Sequence, residues 1–220
     1  MKSESEQLIE GGKALGFEVS PEQANSIIAY LEALDVTNRS FNLTRIPRED
    51  YVSLHALDSL TALLAIPMDK SLSIIDVGTG AGFPGVPIAT LLPSAQVTLL
   101  DSTLKKIRFA ETTAHECGIK NCLGIHNRAE ELAKTKAHRA RYDIVVSRAV
   151  AAFPKLMEWT LPLAKTGGYV VAMKGSGYEQ EMIGSDALVR QLGGAVEKVL
   201  SIPLPQTDIT RHLIIVKKVR

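Results

Sequence analysis

At 220 residues the chain suits one catalytic domain plus a smaller appendage, with ample length for a core. The stretch from Leu54 to Met68 is its longest membrane candidate, but Asp58 interrupts it and it is too short to cross a bilayer; the polar, acidic start Met1-Lys2-Ser3-Glu4 is neither a secretory signal nor a transit peptide. The only cysteines, Cys117 and Cys122, have no His or Cys cluster around them, which argues against a metal site or a disulfide and for a reducing, cytoplasmic setting.

The net charge of +1 is unevenly spread: residues 1–35 carry Lys2 and Lys13 against seven acids (−5), so the remainder carries +6. Within it, the stretch from Arg128 to Arg141 holds five basic residues against Glu130 and Glu131, which permits a basic face for nucleic acid.

In chain order, residues 7–15 form a weak helix closed by Gly16. A second helix runs over about 20–35, with Ser20 as its cap, Pro21 in its first turn and Ala24, Ile27, Ile28, Leu31 and Leu34 on one face. Phe41 to Ile46 reads as a turn or extended piece. A helix over about 48–65 follows, on which His55 and Asp58, three apart, share a face. Residues 1–66 are therefore a helical N-terminal region, and residues 67–220 a separate α/β region, the two expected to form one compact unit.

Strands are expected at 72–77, 96–101, 121–126, 142–148, 169–174, 195–202 and 211–219, with helices at about 104–117, 153–164 and 178–192 between them. The middle of 142–148 is almost wholly apolar, as a strand buried on both faces requires. This alternation predicts a three-layer α/β sandwich around a mostly parallel seven-stranded sheet, with an antiparallel pair at its end.

The chain is organised around the run Ser73-Ile-Ile-Asp-Val-Gly-Thr-Gly-Ala-Gly-Phe-Pro-Gly85, an apolar strand ending in a burst of glycines before a helix. Gly80 to Gly85 formally matches a dinucleotide fingerprint. However, Asp76 stands just before the glycines, where a pyrophosphate would want positive potential. A carboxylate there suits a cationic ligand, and S-adenosylmethionine carries a sulfonium and an ammonium. The layout resembles the first motif of Rossmann-like, class I S-adenosylmethionine-dependent methyltransferases. Asp101, ending the next strand, is placed to accept from ribose hydroxyls and would serve either ligand.

Ligands in such sheets bind beyond the carboxyl ends of the strands, which brings Gly78, Gly80, Phe83, Asp101, Ala129, Glu130, Arg148 and Lys174 into consideration. Ala129 and Glu130 suit the adenine, and Phe83 the adenosyl group. Neither cysteine falls at a strand end, so a thiolate-dependent pyrimidine C5 methyltransferase is disfavoured. The Ser147-Arg-Ala-Val150 sequence lacks the Asn or Asp, two prolines and aromatic typical of amino-group methyltransferases. Guanine N7 needs neither device, because its lone pair is free and no proton must leave; alignment can carry the reaction. Arg148 or Lys174 could read a guanine N7/O6 edge, while Arg148 could equally order the loop or pair with a ligand carboxylate.

With these residues assembled, the chain resembles the bacterial 16S ribosomal RNA guanine-N7 methyltransferase family, known as RsmG or GidB. The resemblance rests on Asn42-Leu-Thr-Arg-Ile46, His55-Ala-Leu-Asp-Ser-Leu60, the glycine turn, Leu99-Leu-Asp-Ser102, Lys105-Lys-Ile-Arg-Phe109, Arg128-Ala-Glu-Glu131, Ser147-Arg-Ala149 and Lys174-Gly175. It implies methyl transfer from S-adenosylmethionine to N7 of guanosine 527, in the rRNA's own numbering, within the small ribosomal subunit. It also implies donor contacts at Gly78, Gly80, Phe83, Asp101, Ala129, Glu130 and Arg148, and an acceptor side of Asn42, His55, Asp58 and Lys174. Val36 stands where the family often has an aromatic. No metal is expected, and a monomer is the default. Alternatives are methylation of another RNA base, an NAD-type oxidoreductase, or an RNA-binding factor that uses adenosyl ligands as a switch.

Overall fold

The computed structural model describes residues 2–68 and 71–220; Met1, Asp69 and Lys70, on which parts of the expected N-terminus and α/β region fall, lie outside the described residues. Seven strands form one sheet: β1 (Ser73–Val77), β2 (Gln96–Asp101), β3 (Cys122–His126), β4 (Tyr142–Arg148), β5 (Ala164–Lys174), β6 (Gly194–Pro203) and β7 (Thr210–Lys218). Their order is β3-β2-β1-β4-β5-β7-β6. The first five strands are parallel, and β7 runs antiparallel between β5 and β6. The expected seven-stranded, mostly parallel sandwich is what the chain builds.

This order places the site. The chain leaves β1 towards β2 on one side and returns to β4 on the other, so a crevice opens beyond their carboxyl ends. β7 enters the sheet at that same edge, because Lys174, ending β5, lies opposite His212 near the start of β7.

Successive strand residues face opposite sides, and both faces are covered. Ile74, Leu99, Val146 and Val171 join one core with Leu8, Ile27, Leu31 and Leu57 of the N-terminal helices, so the helical region and this sheet face share a continuous apolar interior. Helices α4 (Gly85–Leu91) and α5 (Leu104–Glu116) lie on this side. Ile75, Val77, Val145 and Val170 form the second core, with α7 (Phe153–Thr160) and α9 (Asp186–Gln191) among its cover.

The N-terminal helices start on reciprocal capping boxes: Ser3 with Glu6 at α1 (Glu4–Ala14), and Ser20 with Gln23 at α2 (Pro21–Asn38). The first box sets α1 three residues ahead of the expected start. The 48–65 segment is helical but not regular: a 3-10 turn (Arg48–Asp50), π-helical turns (Tyr51–Leu57), one α turn (α3, Asp58–Leu60) and a second 3-10 stretch (Thr61–Ala65). The expected 153–164 helix stops at Thr160, and β5 already begins at Ala164. The expected 178–192 helix is two pieces, α8 (Tyr178–Met182) and α9, broken where Gly184 takes φ +75°. The short α6 (Ala129–Leu132) follows β3.

Candidate active site

A cavity of about 650 Å³ opens at the carboxyl edge, within the size range of small-ligand sites. One side is the glycine turn. Gly78 has φ +74°, and a Cβ there would overlap Val150, so only glycine lets the chain leave β1 in this way. The turn is tied down by Gly78 and Thr79 amides donating to Leu100 O at 2.8 and 2.9 Å. Asp101 accepts from the Gly80 amide at 3.0 Å and the Thr103 amide at 2.8 Å, one on each carboxylate oxygen, so the further lone pairs of both remain for ligand hydroxyls.

Asp76 plays a different part from the expected one. It is fully buried and absent from the cavity wall; one carboxyl oxygen accepts from Thr79 Oγ1 at 2.6 Å and from the Gly85 amide at 2.8 Å. Burial pushes its carboxyl up to about 7 against these hydrogen bonds. Asp76 therefore holds the turn from beneath rather than offering a charge to a cationic ligand.

The opposite wall comes from the N-terminal region and is knit by Arg148. Arg148 Nη1 donates to Leu54 O and Asp58 Oδ2, both at 2.8 Å, and Nη2 donates to His55 Nδ1 at 3.2 Å. Asp58, 1% exposed, also accepts from Arg211 Nε at 2.5 Å and Nη2 at 3.0 Å. One buried carboxylate thus joins two guanidiniums that both line the cavity. Arg148 keeps its Nε–H and one Nη2–H free of partners among the described residues. The next residue, Ala149, adopts φ +54°, a left-handed conformation that costs a non-glycine residue energy and turns the chain around the cavity.

His55 stacks on Phe83 with ring centroids 4.4 Å apart and meets Thr44 Oγ1 through Nε2 at 2.9 Å. Burial, seconded by the Arg148 charge, pulls its pKa down to about 3, so it is neutral. Because Arg148 can only donate, His55 Nδ1 accepts and Nε2 carries the proton. Phe83 contributes to the cavity wall, but at 3% exposure most of it lies between His55, Tyr30 and Arg148.

Gly78, Gly80, Phe83, Asp101, Ala129, Glu130, His55, Asp58 and Arg148 all line the cavity. Two expected acceptor-side residues do not. Asn42 is exposed and sits just outside the wall, which its neighbours Leu43 and Thr44 enter. Lys174 is turned away: its Nζ donates to Ala151 O at 2.5 Å and pairs with Glu181 at 2.6 Å, while the same Glu181 oxygen accepts from the Phe153 amide. Its ammonium thus fastens the loop after β4 to α8 and lies outside the cavity wall. Sequence reasoning missed Thr44, Trp159 and Arg211. For Arg211 a signal existed: a charge at the mouth of the apolar strand Leu213–Val216, whose antiparallel entry brings it to the ligand edge.

The geometry fits an adenosyl methyl donor: a backbone cradle that a Cβ would fill, a strand-end carboxylate with free lone pairs, and the half-buried Ala129 and Glu130 at the next strand end. The thiols are outside the cavity wall, and burial raises both, Cys122 to about 12. The family described as rRNA small subunit methyltransferase G matches residues 23–213. The chain belongs to this family. It is an S-adenosylmethionine-dependent methyltransferase. Relatives named ribosomal RNA small subunit methyltransferase G include those of Alkaliphilus oremlandii, 40% identical over 97% of this chain and 90% of that one, and of Acetivibrio thermocellus, 41% identical over 97% and 88%.

Among solved structures, a SAM-dependent methyltransferase from Aquifex aeolicus superposes with a TM-score of 0.55 at 17% identity, covering 76% of this chain and 92% of that one. The 16S rRNA (adenine(1408)-N(1))-methyltransferase of Catenulisporales acidiphilia gives 0.53 at 16%, covering 68% and 69%. At such identities they speak for the fold alone. Family membership also sets aside the dinucleotide reading of Gly80 to Gly85.

Proposed function

We propose that the protein moves a methyl group from S-adenosylmethionine to N7 of a guanine in 16S ribosomal RNA, guanosine 527 in the rRNA's numbering, acting in the cytoplasm as a monomer on the small ribosomal subunit. The observation that carries the N7 reading is the absence of an available base on the acceptor side of the described wall; the other carboxylates of the wall, Asp101 and Glu130, stand at the strand ends that receive the donor. His55 is neutral with both nitrogens engaged, Asp58 is 1% exposed and held by three N–H groups from two arginines, and Asp76 and the thiols lie outside the wall. Guanine N7 has a lone pair and no proton to lose, so it asks only for alignment with the methyl carbon and sulfur.

On this reading Gly78 and Gly80 let the backbone approach the donor, Asp101 accepts from its ribose, Ala129 and Glu130 face the adenine, and the spare N–H groups of Arg148 meet its carboxylate. When bound, the donor supplies an electrophilic methyl on sulfur. His55, Asp58 and Arg211 shape the acceptor side and limit water there. Exposed Arg128, which lines the cavity, and exposed Lys134, in a hollow that shares Glu130 and Trp159 with it, provide basic groups for the phosphate backbone. The regions 1–66 and 67–220 work as one unit, the first closing the site that the second opens.

Calorimetric titration with adenosylhomocysteine and, in parallel, NADH tests the donor half of this reading. Binding of adenosylhomocysteine alone, lost in Gly78→Asp, is the expected result; binding of NADH alone would refute it.

A further inference from the structure

The N-terminal wall contains a hydroxyl whose direction is fixed by its neighbours. Asn38, in the last turn of α2, clamps Thr44 by its backbone: Asn38 Oδ1 accepts from the Thr44 amide at 3.0 Å, and Asn38 Nδ2 donates to Thr44 O at 3.1 Å. Thr44 Oγ1 accepts from the Ile46 amide at 3.1 Å. It also faces His55 Nε2 at 2.9 Å, and this nitrogen carries the ring proton, because Nδ1 accepts from Arg148. Both lone pairs of the hydroxyl are therefore filled, and among the described residues its proton has no acceptor. Thr44 lines the cavity between buried His55 and exposed Asn42 and Arg45. Arg148, His55 and Thr44 form a one-way chain of donors that ends by offering a proton into the site.

We propose that Thr44 is a specificity-determining residue whose hydroxyl donates to O6 of the methyl-accepting purine, a proposal that rests on the guanine-N7 reading. On the edge that presents N7, guanine has O6, an acceptor, where adenine has an amino donor. N7 gives its lone pair to the incoming methyl, and O6 is the neighbouring acceptor left to bind. A hydroxyl that can only donate accepts guanine and meets adenine donor to donor. Its contacts separate this role from donor binding: Thr44 sits between exposed Asn42 and Arg45, and its hydrogen bonds go to Asn38, Ile46 and His55, not to the glycine turn or Asp101.

The test is a cycle of enzyme and base. Small subunits are assembled with guanine or with 2-aminopurine, which keeps N7 but lacks O6, at the target position. Methyl transfer is then measured for wild type, Thr44→Val and Thr44→Ser, with adenosylhomocysteine affinity and thermal melting recorded for each. On guanine, Thr44→Val should lower kcat/KM by roughly 10-fold or more, as expected when a buried polar partner is removed. Thr44→Ser should recover most of that, and adenosylhomocysteine affinity should hold. On 2-aminopurine, wild type and Thr44→Val should converge.

Losses that simply multiply would overturn the proposal, as would a Thr44→Val protein as fast on guanine as wild type. Weakened adenosylhomocysteine binding in a Thr44→Val protein that melts normally would overturn it as well, placing the hydroxyl on the methyl donor. If wild type fails to methylate guanine N7, the functional reading falls and this proposal with it; if wild type succeeds and the cycle is additive, only the role of Thr44 falls.

Discussion

At the residue scale, Asp58 is the position on which the acceptor wall depends. Its carboxylate receives three N–H groups from two guanidiniums that are themselves largely buried, at 13% and 18% side-chain exposure. Removing one member of such a cluster leaves uncompensated charge. Asp58→Ala should therefore cost about 3–5 kcal/mol in urea unfolding and abolish turnover, with the neutral, isosteric Asp58→Asn milder on stability. His55 gives a pH signature. Its folded pKa, about 3, lies below the unfolded value near 6.5, so its contribution is fully present above pH 6.5 and is lost as pH falls towards 3. The stability difference between wild type and His55→Gln should rise with pH across that window by at most about 1.4 kcal/mol per unit. A flat difference would mean that the ring is not held neutral. Activity, in turn, should show no acid limb near pH 6.5 attributable to this residue.

At the element scale, the glycine turn is braced from outside the sheet. Tyr30 of α2 donates to Ala81 O at 2.8 Å, and a Cβ on Gly82, at φ +92°, would overlap its hydroxyl. Tyr30→Phe should cost about 1 kcal/mol in unfolding free energy and weaken adenosylhomocysteine binding while leaving the fold intact by circular dichroism.

The strands were legible because β-branched runs ending in Asp76-Val-Gly, Asp101 and Arg148 mark both the strands and their functional ends. Less legible was what tertiary packing decides. His55 and Asp58 were placed on one face by helical spacing, yet their partners are Arg148 and Arg211, 93 and 153 residues away in sequence. Asp76 looked ligand-facing because a strand end normally is, but sequence cannot show that Thr79 and Gly85 fold back over its carboxyl. The surroundings of Lys174 were hidden for a similar reason: its partner Glu181 sits on α8, which reads in sequence as one helix with α9.

At the scale of the whole molecule, charge and cavity are arranged together. The acidic residues 1–35 lie apart in sequence from the exposed basic run between Arg128 and Arg141, and Arg128, at the head of that run, also lines the cavity. Affinity for small subunits should fall steeply with salt. Lys134→Ala, next to the cavity residues Glu130 and Trp159, should weaken binding with little change in adenosylhomocysteine affinity and reduce the log–log salt slope by about 1.

The atom that receives the methyl group leaves a chemical signature in the RNA. Small subunits are incubated with wild-type protein and S-adenosylmethionine, and their 16S rRNA is treated with borohydride and aniline, which cut the chain at N7-methylguanosine. A single enzyme-dependent break at guanosine 527 is expected; methyl incorporation without scission would place the group on another atom and rule out guanine N7 as the acceptor.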